Sequence, residues 1–258
     1  MAARGNVLLA LGLVGVLLGT GGCVADEPEP ARSLPHPGVP TTSPTPNPAQ
    51  EEFLQALRRT NGAPYRYAVR GDLPDGASVQ ATGAFDPVAR LFESTTKSND
   101  GKKTETDQRI VVGANSYARA LADKTWVHLD LSRVKPDSLV WFDMADPTGL
   151  VKFTSMIGTV QQSGPNAYKG TFSPATSGLK PFIPLGAPSI VSLGVYSADF
   201  TATTNAQGWV TSITIEVQAA KGPALTMTTD LSGHGTKLGI KAPPKSKVDE
   251  AADIYYEK

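Results

Sequence analysis

An alternation of apolar and polar residues with a period of two runs through most of the chain and limits its fold more than any other feature. Near the C-terminal end, Trp209, Ile213 and Ile215 fall on one side of an extended strand, while Thr214 and Glu216 fall on the other. Such alternation is typical of antiparallel strands with one buried and one solvated face. No regular strand and helix alternation accompanies it, so a doubly wound α/β fold is excluded.

Turn signals stand at or near the breaks between these runs, as antiparallel hairpins require. Examples are Asp75-Gly76, Asp86-Pro87 and Asn99-Asp100-Gly101. The pattern predicts about ten antiparallel strands, at 65–71, 77–85, 88–97, 108–119, 124–131, 167–172, 196–204, 209–218, 224–231 and 236–240. The segment 173–194 is rich in Pro and Gly, yet it is too apolar for a free loop.

Two stretches have helical spacing instead. Residues 51–59 place apolar side chains such as Phe53 and Leu57 on one side. Asp146-Pro147 has the form of a helix start and is followed by Leu150, Phe153, Met156 and Ile157 on one face. The sequence therefore predicts the α+β class, with a large curved antiparallel sheet, or half-open barrel, covered by two or three helices.

The first 22 residues are similar to a bacterial secretory signal. Arg4 provides a positive start, and an unbroken apolar run over residues 7–18 leads to small residues. This run falls well short of the roughly 20 residues that cross a bilayer, so we expect cleavage. Cys23, the one cysteine in the sequence, follows Gly22 where a lipobox places its acylated cysteine, although Thr20 stands where leucine is usual. The alternative is an ordinary secretory signal that releases a soluble protein.

Residues 23–50 contain many prolines with Ser and Thr between them and almost no large apolar side chains. Such a segment cannot bury a core and is typical of a tether. We therefore expect a signal peptide at 1–22, a lipidated cysteine and tether at 23–50, and a single β-rich domain at 51–258. The domain would be held by its lipid anchor at the extracytoplasmic face of the cell membrane.

Charge and residue counts exclude several classes of function. Lys plus Arg and Asp plus Glu number 24 each, so no excess positive charge is available for nucleic-acid phosphates. One Cys and three His residues give no metal-ligand spacing and no disulfide framework, and we expect neither a metal nor a cofactor.

One row of residues could suggest catalysis. Trp126, His128, Asp130 and Ser132 share one side of a strand. Same-side neighbours lie about 7 Å apart, whereas a triad needs hydrogen bonds of about 2.6–3.2 Å. We interpret the row as a solvated strand face and expect no enzyme activity.

Three segments resemble the LppX/LprG-like lipoproteins of actinobacteria, whose fold is related to the LolA/LolB half-barrel. The first is Asn115-Ser-Tyr-Ala followed by Trp126-Val-His-Leu-Asp130, and the second is Asp146-Pro-Thr-Gly-Leu150. The third runs from Leu231 through Ala242-Pro243-Pro244 to Asp249. The resemblance implies a half-open barrel closed by helices that shelters the acyl chains of a lipid or glycolipid, without catalysis.

A sheet this large needs a cover over its apolar face, and the helical stretches offer few apolar residues. Either the sheet curls on itself or a cavity remains, and acyl chains gain about 0.8 kcal/mol per CH₂ removed from water. The candidate cavity residues are Phe153, Met156, Ile157, Trp209, Ile213, Ile215, Leu225 and Met227. These residues could equally fill a solid core. The alternative function is a tethered interaction module that has no ligand and docks an envelope protein or transporter.

Overall fold

The computed structural model describes residues 47–136, 138, 140–173, 197–218 and 223–256. The signal, Cys23, nearly all of the tether and the segment 174–194 lie outside the described residues. Within them the chain forms two α-helices, α1 (Pro48–Asn61) and α2 (Leu150–Met156), together with twelve strands. The predicted α+β class, with a large and mostly antiparallel sheet, is confirmed.

Short turns connect most of the strands. Single 3₁₀ turns lie at Pro74–Gly76, between β1 and β2, at Lys245–Lys247, just before β12, and at Asp253–Tyr255, which follows β12. The strands are β1 (Tyr65–Asp72), β2 (Ser78–Asp86), β3 (Leu91–Asn99), β4 (Thr104–Val112), β5 (Asn115–Ala120), β6 (Trp126–Asp130), β7 (Ile157–Gly164), β8 (Ala167–Phe172), β9 (Ala198–Thr204), β10 (Val210–Val217), β11 (Leu225–Ser232) and β12 (Val248–Glu250).

All twelve strands belong to one sheet, in the order β12-β6-β5-β4-β3-β2-β1-β11-β10-β9-β8-β7. Every neighbouring pair is antiparallel except β12 and β6, which are parallel. Strands β7 and β12 form the two edges and do not pair with each other within the described part of the chain. The sheet is therefore open and is not a closed barrel.

Helix α1 begins where the sequence supplies a complete N-terminal cap. The side-chain oxygen of Asn47 accepts hydrogen bonds from the backbone N–H groups of Ala49 and Gln50, and Pro48 occupies the first helical turn. A proline is tolerated there because its missing N–H has no partner in the helix. The helix therefore starts at Pro48 rather than at residue 51, so residues 48–50 belong to the helix and not to the tether.

Two of the predicted strands were wrong, and two strands were not predicted. The predicted strand 108–119 is two strands, because Gly113 adopts a left-handed conformation (φ 64°) and turns the chain back on itself. Residues 236–240 form no strand. Strands β7 and β12 were not predicted, since β7 has little apolar alternation and β12 has three residues.

The two faces of the sheet differ in their cover. We call the side that bears the main cluster of buried residues, including Tyr65, Val69 and Val111, the core face. Both helices pack on this side through Phe53, Leu57, Leu150 and Phe153. On the opposite side, the outer face, a small cluster joins Ala84 to Leu238 and Ile240 of the segment that leads from β11 towards β12.

Candidate functional site

Most of the predicted cavity residues lie together on the core face. Six of the eight belong to the main buried cluster and are less than a tenth exposed. Those six are Phe153, Met156, Ile213, Ile215, Leu225 and Met227. Their shared position fits the lining of a cavity and fits a solid core equally well, and the packing around them distinguishes the two.

Aromatic rings fill the core face beneath the helices. Phe53 of α1 stacks on Tyr168 and Phe200, with ring centroids 5.1 and 5.5 Å away. Phe153 of α2 meets Phe200 and Phe172 edge to face, at 5.2 and 5.4 Å. Such pairs have the geometry of close-packed aromatic contacts. This region, near β8 to β10, is packed core.

Ile157 and Trp209 do not lie where the sequence places them. Ile157 does not continue the apolar face of α2, because the helix ends at Met156 and Ile157 begins β7 half-buried. At Trp209 a β-bulge between Val210 and Ser212 shifts the register by one residue. The bulge reverses the alternation, so Val210 is fully buried. Trp209 therefore does not share a face with Ile213.

Trp209 belongs to a separate stack of three side chains. Its ring lies parallel to that of His234, with centroids 5.3 Å apart and planes at 13°, and the Arg59 guanidinium lies 5.7 Å from the ring centroid. Nε2 of His234 is buried and has no hydrogen-bond partner among the residues that the structure describes. Burial lowers the pKa of His234, although a hydrogen bond to the Val210 backbone acts in the opposite direction. The stack therefore favours the neutral imidazole.

Between β2 and β5 the core face carries mostly small side chains instead of large apolar ones. One row across these strands contains Gly83, Ser94, Arg109 and Ala118, with Tyr67 of β1 at its end. Apart from Arg109 and Tyr67, these side chains are small, and Ser94 and Ala118 are half-buried rather than buried. The described chain covers two of these positions, with the Tyr67 ring over Gly83 and the Phe142 ring beside Arg109, while Ser94 and Ala118 keep part of their surface exposed.

The adjacent row has the same property. It runs from Val69 through Ala81, Thr96 and Asp107 to Ala120. On its other side the row continues from Val69 to Thr229 of β11 and Ile213 of β10. The core face is therefore continuous from the predicted apolar residues on β10 and β11 to the small and polar lining on β3 and β4. We call the part around Gly83, Ser94, Thr96, Arg109 and Ala118 the small-residue floor.

Arg109 is the cation of the small-residue floor. Its Nη1 donates to Oγ of Ser116 at 3.2 Å, and its guanidinium lies 4.8 Å from the ring centroid of Phe142. Among the described residues no carboxylate forms an ion pair with it within 4.0 Å. Desolvation lowers the pKa of Arg109, and the charge of Asp107 acts against this shift. Arg109 remains a cation because arginine does not lose its proton in proteins.

Sequence reasoning missed this floor because it selected large apolar residues. Ser94, Thr96 and Arg109 are polar, and in a strand of alternating residues they read as the solvated side. The register decides otherwise, since Arg109 shares its side with Val111, which is fully buried. An available signal was the arginine two residues before an apolar residue in one strand.

A polar groove of about 480 Å³ lies across the outer face. Arg66 faces Glu93 at 3.8 Å on one side of it. On the other side Nε of Arg119 donates to Oε1 of Gln108 at 2.9 Å, and the Arg119 guanidinium lies 4.5 Å from the centroid of the Trp126 ring. These charged groups have partners within the chain.

The row of Trp126, His128, Asp130 and Ser132 forms no catalytic triad. Nδ1 of His128 lies 2.7 Å from Oε2 of Glu250, and Nε2 lies 2.9 Å from Oδ1 of Asn115. Asp130 instead accepts from Oγ of Ser132 at 2.6 Å, which is the largest cause that lowers its pKa. Histidine and aspartate therefore belong to separate local networks.

Where the structure describes the chain, no three His, Cys, Asp or Glu side chains are grouped to hold a metal ion. In those ranges no helix has both the length and the apolar character needed to span a membrane.

No protein-family model matches this chain, and no curated protein matches it. Among solved structures, it is similar to an uncharacterized conserved protein from Thermus thermophilus, with 13% identity, a TM-score of 0.42, and coverage of 78% of this chain and 98% of that one. A LolA superfamily protein from Nitrosomonas europaea has 10% identity and a TM-score of 0.27, covering 81% and 97%.

A porin-like protein from Bacteroides uniformis has 12% identity and a TM-score of 0.25, covering 67% of this chain and 96% of its own. All three TM-scores lie below 0.5, so these likenesses carry no argument about function. The resemblance to the LppX/LprG-like lipoproteins is not confirmed and stays an expectation from the sequence.

Proposed function

We propose that this protein binds a lipid or another hydrophobic ligand on the core face of its sheet and carries it at the bacterial envelope. The observation behind this proposal is the small-residue floor, which continues the apolar rows of β10 and β11. A filled interior would place larger side chains where Ser94 and Ala118 lie, and both of these residues are half-buried. An acyl chain over this surface would be removed from water without exposing its tail.

Mass spectrometry of the full chain, produced in an actinobacterial host and purified gently, tests this function. We expect a defined mass shift under native conditions that resolves into lipid or glycolipid on denaturation. Ala118→Trp, which fills the floor, should abolish the shift. Thr95→Trp places the same ring on the outer face of β3 and should retain it. An apo mass for the wild type, also after incubation with membrane lipid extract, would rule out the carrier.

We also propose that Cys23 carries the acyl anchor and that residues 1–22 are removed as a signal peptide. The lipobox-like position after Gly22 and the apolar run before it support this assignment. The domain would then stand on the extracytoplasmic face of the cell membrane, at the end of its tether. Metabolic labelling with an alkyne palmitate analogue should mark the wild type. Cys23→Ser should lose the label and leave the membrane fraction, whereas a label retained in this variant contradicts the anchor.

The second candidate function is a tethered interaction module without enzyme activity. The polar groove on the outer face, with Arg66, Glu93 and Arg119, favours it because such a surface can recognise a protein segment. Crosslinking in intact cells discriminates the two functions. A photo-crosslinker at Thr82 in the groove should capture a defined envelope protein if the module is correct, and one at Ala118 should capture lipid if the carrier is correct.

A further inference from the structure

The small-residue floor contains one feature that an entirely apolar ligand would not need. Arg109 projects from β4 onto the same side as the buried Val111, and its described polar contact is the neutral hydroxyl of Ser116. Removing a guanidinium from water is costly unless an anion or several hydrogen bonds compensate it. The face of Phe142 supplies part of this compensation through a cation–π contact. The contacts described leave the charge without a directly bound anion.

The acidic residue closest along the strand is Asp107, two positions before Arg109 and on the same face. Same-side neighbours on a strand lie about 7 Å apart at Cα. Asp107 is exposed and forms no ion pair with Arg109 within 4.0 Å. Asp107 therefore reduces the positive potential around Arg109 but does not bind its guanidinium directly.

Two residues with hydroxyl groups lie in the same row of the floor as Arg109. Ser94 is the neighbour of Arg109 in the register of β3 and β4, and Tyr67 reaches the same row from β1. The Tyr67 hydroxyl donates to the backbone carbonyl of Glu93 at 3.4 Å. The Tyr67 ring covers Gly83, so the polar end of this row consists of Arg109 and the Ser94 hydroxyl beside it.

The direction of the floor relative to the apolar rows defines the shape of a suitable ligand. From Arg109 the register leads across β3, β2 and β1 to Leu231 on β11, four strand spacings away or about 19 Å, and Met227 lies four residues further along that strand on the same face. One end of this path is cationic and partly open to water, and the other end is buried and apolar. This is the polarity of an amphiphile with an acidic head and an extended acyl chain.

We propose that Arg109 binds the acidic group of an acyl lipid, a carboxylate or a phosphate, whose chain extends over the floor towards Met227. This inference rests on the proposed carrier function and specifies its ligand class. Arginine is suited to this task because its planar fork can donate two parallel hydrogen bonds to either oxyanion.

Paired lipids that differ in charge test the proposal on the full chain. The protein carries Cys23→Ser, which removes the acceptor of the proposed anchor. It is incubated with an equimolar mixture of oleic acid and oleyl alcohol, and separately with dioleoyl phosphatidic acid and dioleoylglycerol. Bound lipid is quantified by mass spectrometry after denaturation. We expect the charged member to exceed the neutral one by about tenfold or more, the size of a charge-assisted bidentate contact. The pair with the larger ratio identifies carboxylate or phosphate as the preferred group.

Three variants test whether Arg109 is the residue that causes the preference for the charged lipid. Arg109→Gln should bind both members of each pair equally, while Arg109→Lys should keep part of the preference because it keeps the charge. Arg70→Gln, on the outer face of β1 and away from the polar groove, is the matched control and should behave as the wild type. Thermal unfolding checks that each variant is folded, and the wild-type ratio tests the proposal even if Arg109→Gln is not.

The outcomes separate the two proposals. Binding of neutral and charged members in equal amounts by the wild type overturns the role of Arg109 and leaves the carrier intact. A preference for the charged lipids that persists in Arg109→Gln also overturns the role of Arg109. Binding of none of the four lipids by the folded wild type overturns the carrier function and this inference together.

Discussion

The hydroxyl of Tyr67 donates to the backbone carbonyl oxygen of Glu93 at 3.4 Å and passes over Gly83 to reach it. The three residues lie on consecutive strands, β1, β2 and β3, with Gly83 opposite Tyr67 in the register. Burial of the Tyr67 phenol raises its pKa, so the hydroxyl stays a donor at physiological pH. The absence of a side chain at position 83 is what permits this contact.

Gly83→Ala should therefore destabilise the fold. A Cβ at this position would lie 2.5 Å from the Tyr67 hydroxyl oxygen and would also overlap the Glu93 carbonyl. We expect a loss of about 1–3 kcal/mol in the free energy of unfolding, measured with urea, as for other overpacked sites. Gly239→Ala is the matched control, since nothing lies within 4 Å of its added Cβ. Equal stabilities for the two variants would contradict this interpretation of Gly83.

Glu250 of β12 contacts His128 of the neighbouring strand β6. Its carboxylate lies 2.7 Å from Nδ1 of His128, and Ala251 donates its N–H to the His128 carbonyl at 2.8 Å. The Glu250 side chain is 74% exposed, so solvent screening limits the pair to less than about 1 kcal/mol. Glu250→Gln should speed hydrogen exchange at Ala251 while changing global stability little. Asp249→Asn, one residue earlier, is the control, and unchanged exchange at Ala251 in Glu250→Gln would count against the link.

Asp146 caps α2 from outside the helix. Its two carboxylate oxygens accept from the N–H groups of Val151 and Lys152 at 3.0 and 2.8 Å. Desolvation raises the pKa of Asp146 in spite of these hydrogen bonds. Asp146→Ala should cost about 1 kcal/mol of unfolding free energy, the usual cost of a lost cap. Asp146→Asn keeps an acceptor without the buried charge and should lose less. A larger loss for Asn than for Ala would contradict capping as the role of Asp146.

The sequence was sufficient for the fold class because most strands have their own local signal. Alternation and turn residues place β1, β2, β8 and β11 to within about two residues of their observed bounds. The signal fails where the strand depends on its neighbours. Strand β7 is held by pairing with β8, and β12 by parallel pairing with β6, so neither needs apolar alternation of its own.

The site was less predictable for a related reason. A face can be assigned from periodicity only while the period is unbroken, and the bulge after Val210 moved Trp209 off the core side. Arg109 was overlooked because a charged residue in a strand reads as solvated unless the register is known. The positions of Ile213, Ile215, Leu225 and Met227 on the core side followed from regular alternation.

His234 gives a prediction about pH. Burial lowers its pKa below the ordinary value of about 6.5. The unfolded chain therefore takes up a proton at higher pH than the folded chain, and the unfolded state binds more protons in this window. By linkage, the contribution of His234 to stability is fully present above about pH 6.5 and is lost as the pH falls through the folded pKa.

His234→Phe removes the titration while keeping an aromatic ring beside Trp209. We expect the free energy of unfolding of the wild type to fall more steeply between pH 8 and pH 5 than that of the variant. The measurement is urea unfolding at several pH values, and the difference between the two proteins at each pH isolates His234 from the carboxylates that both contain. Parallel curves would show that the buried Nε2 does not control the pH response, and a steeper curve for the variant would reverse the sign of the argument.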